Sequence, residues 1–218
     1  MKVNKTNYSI DPFLSSALIR GEYKSNGIER KRHLYEVTAM VEQPGHILEF
    51  GVYKGGSMSH ISRIFPDRTC WGFDSFEGLP EPWFINQGDT NRVYPAGKFN
   101  MQDQEWPVFR ENVALVRGWF ADTLPQWLDQ NSGPVAFLHI DCDLYSSTKT
   151  ILDLLNTRIV PGTVIAFDEF YPWEHSNPYN QWSEHEYRAL KEWVENYDRE
   201  FECMLHTRFQ QCSIKVLR

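Results

Sequence analysis

Short apolar runs alternate with amphipathic stretches along most of the chain, and that rhythm predicts the architecture. The runs at 46–52 (HILEFGV), 69–75 (TCWGFDS), 113–119 (VALVRGW), 135–141 (VAFLHID) and 162–170 (GTVIAFDEF) have strand length and follow turn-forming residues. ILEFGV and VIAF are apolar at nearly every position instead of every second one, as expected for strands covered on both faces. Between them, helices are predicted over 27–41, 57–65, 123–130, 147–159 and 184–197. Strand–helix alternation of this kind builds a mostly parallel sheet with helices on both faces. Two further strands, 202–207 and 211–217, are separated by a short turn and should form an antiparallel hairpin at the end of a seven-stranded sheet.

No repeat, low-complexity tract or long linker interrupts the 218 residues, so they read as a single α/β domain. Its expected parts are an N-terminal helical lead and substrate cover (1–45), a central core (46–170), a lid loop (171–183), and a final helix with the hairpin (184–218). Three segments break the alternation: 1–26, 77–112 and 171–183, the last two rich in proline and aromatic residues. Long irregular loops in a compact domain are usually lids or binding loops, and these should gather over one end of the sheet.

Composition narrows the function. Residues 1–33 carry a charge of +4 and the remainder −11, with ten acids and three bases in 168–202 alone. Such a surface disfavours nucleic acid as a partner. No apolar run is long enough to cross a bilayer, and the N-terminus lacks the continuous apolar stretch of a signal peptide. Cys70, Cys142, Cys203 and Cys212 lack metal-ligand spacing and suit reduced thiols, so a cytoplasmic protein is expected. Eight tryptophans exceed what a core of this size requires, which points to an organic ligand in an aromatic-lined pocket.

The sharpest local signal is Glu49-Phe-Gly51-Val-Tyr53-Lys-Gly55-Gly56-Ser57, leaving one strand and opening a helix. Glycines there let a ligand approach the backbone, and the helix start offers free N–H groups. The spacing is neither Gly-x-Gly-x-x-Gly nor a Walker loop. Glu49, two residues before the first glycine, repels phosphate and attracts ammonium. Asp74 ends the next strand, where a carboxylate can accept hydrogen bonds from a ribose diol; a plain turn residue is the alternative. Asp122, in Gly118-Trp-Phe-Ala-Asp-Thr-Leu-Pro125, reads equally as a helix N-cap or a ligand-facing group.

The most chemical cluster is His139-Ile-Asp141-Cys-Asp143 at one strand end and Asp168-Glu169 at the next. Carboxylates this close repel one another unless a cation or proton intervenes. An oxygen-only set suits Mg²⁺, and one acid could act as general base toward a hydroxyl. Asp143 reads as readily as a cap of the following helix. His139 shares a strand face with Asp141, His175 lies in the aromatic loop, and Glu29–His33 (ERKRH) reads as an exposed helix face.

Five stretches in order, ILEFGVYKGGS, GFDSFEGLPE, GWFADTLP, HIDCDLYSSTKTIL and PGTVIAFDEF, resemble the class I S-adenosylmethionine-dependent methyltransferases, more narrowly the macrocin-type sugar O-methyltransferases of antibiotic biosynthesis. The resemblance implies a Rossmann-like fold and S-adenosyl-L-methionine and Mg²⁺ as cofactors. It places Glu49, Gly51 and Ser57 at the methionine end, Asp74 at the ribose and Asp122 at the adenine, with Tyr53 and Ser75 also among the cofactor-binding residues. Asp141, Asp168 and Glu169 would bind metal, with Asp141 as the catalytic residue beside the acceptor. The family usually has two aspartates where this chain has Asp168-Glu169, and Pro-Gly-Gly where it has Pro161-Gly162-Thr163. The chain also looks short at its N-terminus against the macrolide enzymes, which bears on acceptor choice. The implied partner is a small hydroxylated acceptor, sugar or polyketide-like, and the resemblance is compatible with a homo-oligomer. A catechol-like phenol acceptor, a non-catalytic binding relative of the same fold, and an NAD-dependent oxidoreductase are the competing readings, the last disfavoured by the missing third glycine.

Overall fold

A computed structural model describes residues 26–85, 92–170, 181–207 and 210–218 of the chain. Most of the expected N-terminal cover, most of the expected lid loop, and His175 lie outside the described residues.

The strands are β1 (His46–Phe50), β2 (Cys70–Asp74), β3 (Trp83–Phe84), β4 (Val93–Tyr94), β5 (Val113–Arg117), β6 (Val135–Ile140), β7 (Val164–Phe167), β8 (Phe201–His206) and β9 (Cys212–Val216). The helices are α1 (Asn26–Thr38), α2 (Gly56–Ile64), α3 (Phe120–Gln130), α4 (Tyr145–Leu155) and α5 (Glu186–Tyr197). Seven strands form one sheet in the order β5-β2-β1-β6-β7-β9-β8. β5, β2, β1, β6 and β7 run parallel, and β9 pairs antiparallel with both β7 and β8. The expected terminal hairpin is present, with β9 inserted between β7 and β8. β3 and β4 form a separate antiparallel ribbon within the 77–112 segment.

Strand side chains alternate between two cores. Leu48, Phe50, Leu138, Ile140, Ile165 and Phe167 pack with Leu124 and Trp127 of α3, Ile151 and Leu155 of α4, and Leu190 and Trp193 of α5. Ile47, Phe137, Val164 and Ala166 pack on the opposite face with Leu34 and Val37 of α1 and Met58 and Ile61 of α2. The alternation carries the polar residues near the strand ends to the same side. Glu49, His139, Asp141 and Asp168 keep the parity of this second set and so face α1. Among the described residues, no helix is long and apolar enough to cross a membrane.

Candidate active site

The strand order reverses between β1 and β6, and a cavity of about 700 Å³ opens there at the C-terminal ends of the parallel strands, the usual ligand position in an open α/β sheet. Its wall includes Gly51, Tyr53, Asp74, Ser75, Trp119, Phe120, Asp141, Asp143 and Glu169. The β3–β4 ribbon roofs it with Trp83 and Tyr94, and Leu79, Ile85 and Phe99 join them. Described residues of the 77–112 segment thus line the cavity.

At the β1/β2 side, backbone geometry does the shaping. Gly51 has φ +93°, and a Cβ there would lie 1.8 Å from the Asp141 carbonyl oxygen. No side chain fits where β1 passes the end of β6. Asp74 Oδ2 accepts hydrogen bonds from the N–H groups of Val52 (2.8 Å) and Tyr53 (2.7 Å), and Oδ1 accepts from Phe76 N–H (2.7 Å). A carboxylate offers about four acceptor positions, so roughly one remains for a ligand hydroxyl. Burial raises the Asp74 pKa, opposed by these three bonds. Ser75 is buried and turns back on the loop, its Oγ accepting from Glu77 N–H at 3.1 Å.

Not every expected residue reaches the cavity. Glu49 is fully buried; Oε1 meets His139 Nδ1 at 2.8 Å, while Oε2 has no hydrogen-bond partner among the described residues. Ser57 lies half-buried in the first turn of α2 and is not part of the wall. Asp122 is exposed. α3 begins at Phe120, three residues earlier than expected, which moves Asp122 off the N-cap into the first turn. Trp119, Phe120 and Ala121 form the cavity wall in its place.

At the β6/β7 side, charge dominates. Ligand atoms of Asp141, Asp168 and Glu169 all lie within 4.8 Å of one another, and Glu49, His139 and Asp141 form a second such group. Arg30 of α1 binds Asp141 Oδ2, and its Nε lies 2.8 Å from Asp168 Oδ1, close but not aligned for a hydrogen bond. Burial opposes the charge of Arg30, but Asp168, Glu169, Glu49 and Asp143 outweigh it and raise its pKa. Glu186 of α5 is buried behind the cluster and accepts from Glu169 N–H at 3.1 Å. Burial pushes both Glu169 and Glu186 well above the carboxylate range, and the neighbouring Asp168 adds to it. The oxygen-only donor set and the buried Glu169 Oε2, unpartnered among the described residues, fit a hard divalent cation.

Asp143 does not cap α4: Leu144 holds the N-cap position, and no side chain bonds there. Instead Leu144 N–H donates to Cys142 C=O at 2.6 Å, a three-residue turn with Asp143 at φ +64°. A non-glycine residue in this conformation is strained, and such strain concentrates at functional sites. Burial and Asp168 raise the Asp143 pKa to about 7.

Arg30 and His33 depart from the exposed face expected of the 29–33 stretch, while Lys31 is exposed. Arg30 binds the acids and His33 is buried, with a hydrogen bond to the Leu205 backbone of β8. The helical period carried the signal: positions 30, 33, 34 and 37 share one face, and Leu34 and Val37 are core residues.

The model of the macrocin O-methyltransferase (TylF) family matches residues 22–199. The chain belongs to this family. It is 30% identical over 142 residues to the 8-demethyl-8-(2,3-dimethoxy-alpha-L-rhamnosyl)-tetracenomycin-C 4'-O-methyltransferase of Streptomyces olivaceus, covering 58% of this chain and 53% of that protein. It is 26% identical over 156 residues to the mycinamicin III 3''-O-methyltransferase of Micromonospora griseorubida, covering 64% and 60%. The chain therefore spans little more than half the length of these relatives. Among solved structures it resembles the calicheamicin methyltransferase CalS11 (TM-score 0.65, 24% identity, 88% of this chain and 80% of that one). It also resembles the O-methyltransferase NovP (TM-score 0.60, 25% identity, the same coverage). These neighbours share the fold of this TylF-family chain, including the mostly parallel sheet.

Proposed function

We propose that the chain is an S-adenosylmethionine-dependent, Mg²⁺-assisted O-methyltransferase whose acceptor is a hydroxyl of a sugar or related natural product. The observation that carries this reading is one cavity joining a glycine turn and Asp74 on one side to an acid cluster on the other, in a chain of the TylF family. Its relatives are named for O-methylation of a rhamnosyl-tetracenomycin, of demethyldecarbamoylnovobiocin and of mycinamicin III.

In this reading Gly51 admits the cofactor against the backbone. Asp74 gives its remaining acceptor position to the ribose, and Trp119 and Phe120 flank the base. Glu49, behind the glycine turn with Oε2 unpartnered among the described residues, is the acid on the side of the methionyl ammonium. Asp141, Asp168 and Glu169 would hold Mg²⁺, which supplies a Lewis acid that lowers the acceptor hydroxyl's pKa. Asp143 is the general base of this scheme: the strained turn holds it in the cavity wall two residues from Asp141. The β3–β4 ribbon excludes water and aligns the acceptor for in-line displacement on a sulfonium already activated as leaving group.

A thermal-shift titration with S-adenosylhomocysteine, S-adenosylmethionine and NADH, each with and without Mg²⁺, tests the cofactor. A ligand at 100 times its Kd adds about 2.7 kcal/mol, an easily read shift. Adenosyl ligands should shift the melt and NADH should not. Methyl transfer from labelled S-adenosylmethionine to rhamnosides and to catechols then tests the acceptor. No adenosyl shift sinks the cofactor assignment, and transfer to catechols alone moves the acceptor to a phenol.

A further inference from the structure

The acids proposed to hold a metal already have a cation, and it comes from α1. Arg30 engages Asp141 Oδ2 and approaches Asp168 Oδ1, two of the three carboxylates in the cluster. Glu169 Oε2 is left buried and without a hydrogen-bond partner among the described residues. One guanidinium thus serves two acids and leaves the third unsatisfied. A divalent ion would bring more charge to the same oxygens, and a guanidinium seated on them opposes its entry by like-charge repulsion.

We propose that Arg30 is an exchangeable cation. It holds Asp141 and Asp168 together when no metal is bound, and it leaves them when a divalent cation enters. Three observations favour exchange over permanent pairing. The guanidinium engages oxygens that a metal would need. The cluster keeps an unpartnered carboxylate oxygen. The Arg30 side chain is 32% exposed against 4% for Asp168, so the arginine is the partner nearer the surface. Arg30 also lines the cavity, so its departure enlarges the wall beside Asp143 and Glu169, where the acceptor would sit. Metal loading and acceptor access are then coupled through the early turns of α1. This inference rests on the divalent-metal reading above.

The test measures metal binding itself. Mn²⁺, a Mg²⁺ surrogate visible by electron paramagnetic resonance, is titrated into the wild-type chain, Arg30→Gln and Asp168→Asn, each saturated with S-adenosylhomocysteine. Removing the competitor should tighten Mn²⁺ by about tenfold or more in Arg30→Gln, while Asp168→Asn should lose binding. Arg30→Lys, which keeps the charge but not the planar fork, should fall between wild type and Arg30→Gln. Equal or weaker binding in Arg30→Gln overturns the proposal, since Arg30 would then be a fixed support. On the wild-type chain, hydrogen exchange in α1 should rise on Mn²⁺ loading. Unchanged exchange there overturns the proposal even where Arg30→Gln fails to fold. Absence of Mn²⁺ binding in every form, with the adenosyl ligand still bound, removes the metal reading and this inference together, while the cofactor assignment stands.

Discussion

The two sides of the cavity are built on opposite principles. At the ends of β1 and β2, the backbone shapes the wall: Asp74 takes three backbone N–H groups and Gly51 makes room for a neighbouring strand end. At the ends of β6 and β7, Glu169 Oε2 and Glu186 Oε1 are buried without hydrogen-bond partners among the described residues, and Asp143 sits in a strained turn. The first side is a preformed cradle whose shape needs no ligand. The second holds unpartnered carboxyl oxygens and strain, which a folded protein tolerates where a ligand or reaction later makes use of them.

Substitutions should separate the two sides by readout. The largest effect belongs to Asp141→Ala, expected to reduce methyl transfer by about 10³-fold or more while S-adenosylhomocysteine binding changes only a few-fold. Calorimetry beside a turnover assay distinguishes these, and retention of most turnover would refute the acid-centred mechanism. Next comes Gly51→Ala, where a methyl group must displace the Asp141 backbone. A loss on the order of 3 kcal/mol or more is expected in denaturant melts, and a near-neutral result would show that the β1 and β6 ends are not tightly apposed. Asp74→Asn should cost less, weakening S-adenosylhomocysteine by roughly 10–100-fold through a loosened loop, with metal affinity unmoved. Unaltered cofactor affinity in that variant would confine Asp74 to shaping the turn.

How much of the molecule was legible in the chain divides along the same line. The parallel strands, the terminal hairpin and the glycine turn follow from local pattern, because each depends on residues adjacent in sequence. Departures came where a distant contact or a backbone turn intervened. Cys142–Leu144 folds into a tight turn, so α4 starts at Tyr145 and Asp143 faces the cavity instead of capping the helix. α3 starts at Phe120, which carries Asp122 to the surface. Arg30 and Asp141 are 111 positions apart, a pairing that no local spacing encodes. The excess of acids did demand a cation, and the helical period of α1 offered one on its buried face. Those two clues belong together, and reading residues 29–33 by charge alone separates them.

The smallest expected effect probes how far the charged side reaches into α1. Burial lowers the His33 pKa to about 3, with His139 and His206 adding to the drop and Asp168 and the Leu205 hydrogen bond opposing it. Folded, His33 is neutral; unfolded, it takes up a proton below about pH 6.5. The unfolded chain then binds more protons, so this group's contribution is lost as pH falls from about 6.5 toward 3. Glu169 and Glu186, raised by burial, act in the opposite sense, since they hold protons in the folded state above their ordinary range and cost stability as pH rises. The wild-type profile mixes these slopes, but its difference from His33→Gln isolates the histidine. Between about pH 7.5 and 5.5, denaturant melts should show that difference moving in the variant's favour by about 1.4 kcal/mol. A constant difference would mean that His33 takes up its proton without unfolding, drawn by Asp168. The field of the acid cluster would then extend across α1, and the boundary between the cradle and the charged side would run through the helix instead of along its buried face.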